Sequence, residues 1–278
     1  MFGVILASVG TFFEEISAAI GKTKVNNHEE SLYTMGFLQL IWALILFVII
    51  GILRRNDFIF SLDSLPTFTV RAFFEIIQFH MSLLGTIVAD RATFGFIRVG
   101  SIPLLLAVDL LLGYTIGSNQ IAGIGIIILA FLILLFTHCV NRKGMGIVIF
   151  TTINAVVTIS LFKYDISRYN SVEAEQSLMY LILICYFLFF AFFVAKENPF
   201  GFLKKPIFFA QSFSVGVGIV MGSFAFSFGP ASVIIAAKRS SAVLWSVLSG
   251  NMYFREKHII LKLFLFLLFG LGIFLLMR

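Results

Sequence analysis

Nine ionisable side chains interrupt stretches that are otherwise apolar: Glu14, Glu15, Arg71, Glu75, His80, Arg98, Asp109, Lys238 and Arg239. Lys238 and Arg239 are adjacent, stand in a run of Ile, Ala and Val, and are followed by Ser240 and Ser241. Neighbouring residues on a helix project about 100° apart, so both cations are hard to keep out of a bundle interior. An ammonium and a guanidinium converging there suit a carboxylate or phosphate. Two other readings compete: pairing with Glu14, Glu75 or Asp109, and snorkelling of the long Lys238 stem toward an interface.

The acids offer complementary chemistry. Glu14 and Glu15, with Ser17, give the first apolar stretch a polar face that binds a proton or the ammonium of a zwitterion; burial raises a carboxyl pKa and an adjacent cation lowers it. Glu14 and Asp109 also stand near the ends of their stretches, where an interface is within reach. Arg71 and Glu75 are four residues apart and share a helix face, and Gln78 and His80 continue its polar character. That arrangement reads either as an internal pair orienting a bundle or as a cavity wall. Bond-making chemistry has no support: His80 and His138 are solitary, Cys139 and Cys185 are far apart and read as small buried hydrophobes, and no phosphate loop, dinucleotide fingerprint or zinc-protease motif occurs.

The elements that must position these groups follow from composition. Of 278 residues, 60% are hydrophobic, 22 are Gly and only 12% are charged, which excludes a water-soluble globular enzyme, a disordered chain and a disulfide-stapled secreted module. The net charge is +6, but Lys and Arg occur at the ends of apolar segments and never as a stripe, so anionic lipid headgroups rather than nucleic acid are the expected counterparts. Crossing hydrocarbon as a helix takes about 20 apolar residues. Such segments are expected at 2–21, 32–53, 66–88, 93–114, 120–139, 145–163, 173–195, 206–228, 231–250 and 259–277. Long unbroken runs such as Ile124–Leu135 contradict the alternation of a membrane barrel. The first segment lacks the basic start of a signal peptide and reads as a retained helix.

The expected fold is therefore an all-α polytopic membrane protein of ten transmembrane helices. Residues 1–139 and 145–278 hold five spans each, so a duplication would make them two inverted five-helix repeats, a known basis for alternating access. At a spacing of about 140 residues, Arg98 of one half falls in register with Lys238 of the other. Ser212, Ser214, Gly216, Gly218, Gly222 and Ser223 make the eighth segment a small-residue helix suited to close packing. Among 35 Phe residues, aromatics that line a cavity cannot be singled out, and Trp42 and Trp245 read as ordinary membrane aromatics.

The chain resembles the drug/metabolite transporter superfamily, specifically its EamA-like branch. The resemblance spans essentially the whole sequence. It is carried by Gly229-Pro230-Ala231-Ser232-Val233, Ser240-Ser241-Ala242-Val243, Gly250 and Arg255-Glu256, with Ala92-Thr93-Phe94, Ser101-Ile102-Pro103, Gly113, Gln120 and Gly123 as the counterpart in the first half. A glutamate often precedes the closing helix of each half in that family. Glu256 fits this pattern, whereas Tyr114 to Gln120 contain no acid.

The resemblance implies a small-solute carrier of the inner or plasma membrane with no nucleotide-hydrolysing part and no cofactor. The expected solute is an amino-acid-like zwitterion or an organic anion, moved by alternating access, with export and proton coupling as options and a monomer or homodimer as the unit. Lys238, Arg239, Arg98, Glu14, Glu75, His80 and Ser241 are the expected solute-binding residues. A lipid or lipid-precursor translocase that holds a headgroup in the cationic interior is the competing function. The family topology puts both termini in the cytoplasm. The basic residues in the connections after odd-numbered segments (among them Lys22, Lys24, Lys143, Lys204 and Lys205) outnumber those on the other side, which argues for the opposite orientation.

Overall fold

With no water to satisfy its amides, a chain in hydrocarbon has to make its own backbone hydrogen bonds, and an uninterrupted apolar segment does so as a helix. The computed structural model describes residues 1–278 except 56, 90, 138–142 and 254–258, and the described residues contain helices and turns but no strand. The helices are α1 (Phe2–Asn26), α2 (Leu32–Leu53), α3 (Leu65–Val88), α4 (Arg91–Val99), α5 (Ser101–Leu111), α6 (Ser118–Thr137), α7 (Met145–Arg168), α8 (Val172–Phe190), the single turn α9 (Pro199–Phe202), α10 (Pro206–Ala225), α11 (Ala231–Tyr253) and α12 (Ile259–Leu276). Five are long and apolar enough to cross a membrane by length and composition: α1, α2, α7, α8 with its extension to Ala195, and α10 with its extension to Phe228. Leu53, Leu111, Phe136 and Phe193 are each more than 70% exposed on the outer surface. That outward wall of large hydrophobics is the pattern of a membrane-embedded helical protein.

Local sequence sets the ends. Ser31 and Ser171 stand in extended backbone before α2 and α8 and accept hydrogen bonds from the Thr34 and Ala174 amides. Pro206 opens α10, where its missing N–H costs nothing. Gly144 enters α7 at φ +75°, and a Cβ there would also lie 3.1 Å from that of Ala89. The expected fourth span, 93–114, is in fact two helices. Gly100 turns the chain between α4 and α5, its N–H bonding the Ile97 carbonyl at 3.0 Å, and Pro103 sits in the first turn of α5.

The helices pair in long seams. α1 runs antiparallel to α10, with Gly3 beside Ala225, Gly10 beside Gly218 and Gly21 beside Gln211. α3 runs antiparallel to α7, linked by Thr67 to Asp165, Gln78 to Asn154 and Gly85 to Ile147. α6 and α12 cross antiparallel through Gly123 against Gly272 and Phe131 against Phe269. α2 lies between α8 and α10, and α11 lies against α1, α5 and α12.

Candidate functional site

Small residues open the space in which the charges meet. Along α10, Gly218 and Gly222 face α1: a Cβ on Gly218 would lie 2.6 Å from the Gly10 carbonyl oxygen and 2.9 Å from Glu14 Cγ. A Cβ on Gly222 would lie 2.9 Å from Lys238 Nζ. Into this gap Lys238 of α11 extends its ammonium and donates to Glu14 Oε1 of α1 at 2.7 Å. The side chains of this ion pair keep 18% and 27% of their exposure, so the pair is only partly buried.

Two guanidinium groups share the field of this pair. Arg239 lies within electrostatic reach of Glu14 and Glu15, and Arg98 of α4 lies within reach of Arg239, Glu14 and Glu15. Arg98 also stacks over Phe94 at 4.9 Å. The Nε atoms of Arg98 and Arg239 are buried without a hydrogen-bond partner, as is Ser241 Oγ, while Ser240 bonds back to the Ala236 carbonyl. α1, α4 and α11 thus bring three cations and two carboxylates together. Spare donors in such a setting attract an anionic group, and the carboxylates suit an ammonium.

The remaining expected residues fall into other groups. Arg71 forms no ion pair with Glu75. Its fork crosses to α8 instead, donating through Nη1 to Glu175 and through Nη2 to Gln176 Oε1 at 2.9 Å, with its guanidinium over the Phe162 ring. Glu175 and Gln176, adjacent on α8, thus take one prong of the fork each. Glu75 stays near Arg71 and Thr158. Asn170 donates to Glu175 and to Ser64, and Gln176 donates to Ser223 at 2.9 Å, which extends this buried network across α3, α8 and α10. His80 sits among aromatics, its Nδ1 3.0 Å from the Tyr186 hydroxyl and its ring stacked on Phe187 and close to Tyr33.

Asp109 does not stand free at the end of its segment. Buried on α5, it accepts from the Ala231 and Ser232 amides and so caps α11 from outside that helix. Glu14 is engaged with Lys238, which points into the α1–α10 seam beside Gly222. Cys185 is exposed rather than buried. His138, Cys139, Arg142, Arg255 and Glu256 lie outside the described residues. Nothing in the sequence analysis singles out Glu175, Gln176 or Asn154; Glu173 and Glu175 fall in the first turn of α8, where acids are common. Among the described residues, no three His, Cys, Asp or Glu side chains stand together as a metal set.

No family model matches the chain. No curated protein matches it either. Among solved structures, one described only as "Crystal structure of protein" superposes with a TM-score of 0.65 at 12% identity, covering 96% of this chain and 95% of that chain. At that identity the likeness concerns the fold alone, and it extends over nearly the full length of both chains.

Proposed function

We propose that this protein is a secondary carrier of a small zwitterionic or anionic metabolite, of the drug/metabolite transporter type, working by alternating access in the inner or plasma membrane. The observation that carries the proposal is the part-buried Glu14–Lys238 pair with Arg98 and Arg239 gathered beside it. A carboxylate or phosphate binds to the spare guanidinium donors, and an ammonium competes for Glu14. Differential binding to two states of the bundle then suffices for transport, with no covalent step.

The helix pairing supports ten spans in two inverted halves. With α4 and α5 taken together as one broken span, α1 of the first half meets α10 of the second just as α7 of the second meets α3 of the first, antiparallel in both seams. α2 meets its own counterpart α8, α6 meets α12, and α4 and α5 meet α11. A two-fold exchange of the halves accounts for all of these contacts and sets the charged cluster where the halves face each other, as in carriers built from inverted repeats.

Ligand-dependent thermal stabilisation tests the binding step. Purified protein is challenged with amino acids, organic acids, phosphorylated metabolites, amines and lipid headgroups, beside a K238M/R239Q variant. Stabilisation of the native protein by one anionic or zwitterionic class, lost in the variant, is the expected result. Stabilisation by lipid headgroups alone would favour a lipid translocase.

A further inference from the structure

Away from the charged cluster, the α1–α10 seam ends at the turn that joins α1 to α2. Glu30 of that turn is 3% exposed, and Gln211 of α10 is fully buried beside it. Gly21 of α1 leaves room for the amide, since a Cβ there would lie 2.8 Å from Gln211 Nε2. Gln211 Nε2 donates to Glu30 Oε1 at 3.1 Å. That bond leaves two buried oxygens without partners, Glu30 Oε2 and Gln211 Oε1. An ionised carboxylate can only accept, so it has nothing to offer the amide oxygen. One proton resolves both: held on Glu30 Oε2 and donated to Gln211 Oε1, it completes the two-bond ring of a carboxylic acid with an amide.

We propose that Glu30 is a proton-binding site, and that its protonated carboxyl latches the α1–α2 turn to α10 through Gln211. The groups facing it set the direction. Glu197, in the segment after α8, is anchored by accepting from the Ser31 amide, the Ser31 hydroxyl and the Thr34 hydroxyl, so its negative charge is held close to Glu30. Glu29 adds a second negative charge but is drawn into a 2.7 Å pair with Lys24, and Lys205 acts on Glu29. The nearby cation, Lys24, is therefore shared. Burial first, and then the charges of Glu197 and Glu29, push the Glu30 carboxyl up to about 7, against the opposing effects of Gln211 and Lys24.

A raised carboxyl stabilises the folded state fully below the ordinary value of 4.5, and that contribution is lost as the pH rises through about 7. Above that pH, the ionised Glu30 is repelled by Glu197 and loses its bond to Gln211 Oε1, and the latch releases. In the carrier proposed above, this ties closure of one end of the seam to protonation. The test needs no solute, so failure of the latch and failure of the carrier are distinguishable.

Infrared difference spectroscopy on nanodisc-reconstituted protein, titrated from about pH 5 to about pH 9, reads the protonated carboxyl directly. The expected result is a protonated-carboxyl band that disappears with a midpoint near 7 and is missing in E30Q. E197Q, which removes the neighbouring charge but keeps an accepting oxygen for Ser31 and Thr34, should move that midpoint downward. A titration unchanged in E30Q, or an E197Q midpoint identical to the native one, would overturn the proposal.

Discussion

Two glycines four residues apart on α10 have different consequences because of what faces them. At Gly218 a Cβ would collide with the Gly10 carbonyl oxygen, which moves only if the helices separate, and with Glu14 Cγ. At Gly222 it would meet the ends of the Lys238 and Glu14 side chains, which can swing aside. G218A should therefore destabilise the protein by about 1–3 kcal/mol, whereas G222A should leave thermal unfolding near native but weaken solute-dependent stabilisation. Melting curves of both variants, with and without solute, check the contrast; equal losses of stability would contradict it. The small-residue spacing of these glycines was legible in the sequence, as was the oddity of Lys238 and Arg239 in an apolar run. The true partner of Arg71 was not. Sequence proximity favoured Glu75 on the same helix face, while the fork reaches Glu175, which is 104 residues away and visible only once α3 and α8 are packed together.

Whole elements depend on groups that lie outside them. α11 carries Lys238 and Arg239, yet its N-terminal amides are satisfied by Asp109 of α5. Replacing Asp109 with Ala should cost about 1–2 kcal/mol, the usual range for a lost cap, and should lower the melting temperature. A variant as stable as the native protein would show that α11 does not need this cap. The α3–α8 crossing depends on a buried charge pair. R71M leaves Glu175 buried with its charge uncompensated and should cost about 3–5 kcal/mol, whereas R71M/E175Q should recover most of that loss. A double variant no more stable than the single one would show that Arg71 acts by packing alone. Element boundaries were largely readable from hydropathy, since an apolar run and the polar residues that end it are local features. The break at Gly100 was missed although the chain marks it: Arg98, Gly100, Ser101 and Pro103 interrupt the apolar run, and α4 is far less apolar than α5.

For the molecule as a whole, composition was the most informative signal: a chain so apolar has to satisfy its backbone internally and turn its hydrophobic side chains to lipid. The pairing of helices was not legible, because antiparallel seams such as Gly10 with Gly218 and Gln78 with Asn154 join residues that no local pattern connects. In the proposed carrier a charged solute passes Lys238 and Arg239. Uptake of the stabilising solute into proteoliposomes is therefore compared between native protein and K238M/R239Q reconstituted at equal density. Native protein should show solute accumulation or counterflow, and the variant should lose it. Uptake by the neutral variant at the native rate would contradict the proposed carrier.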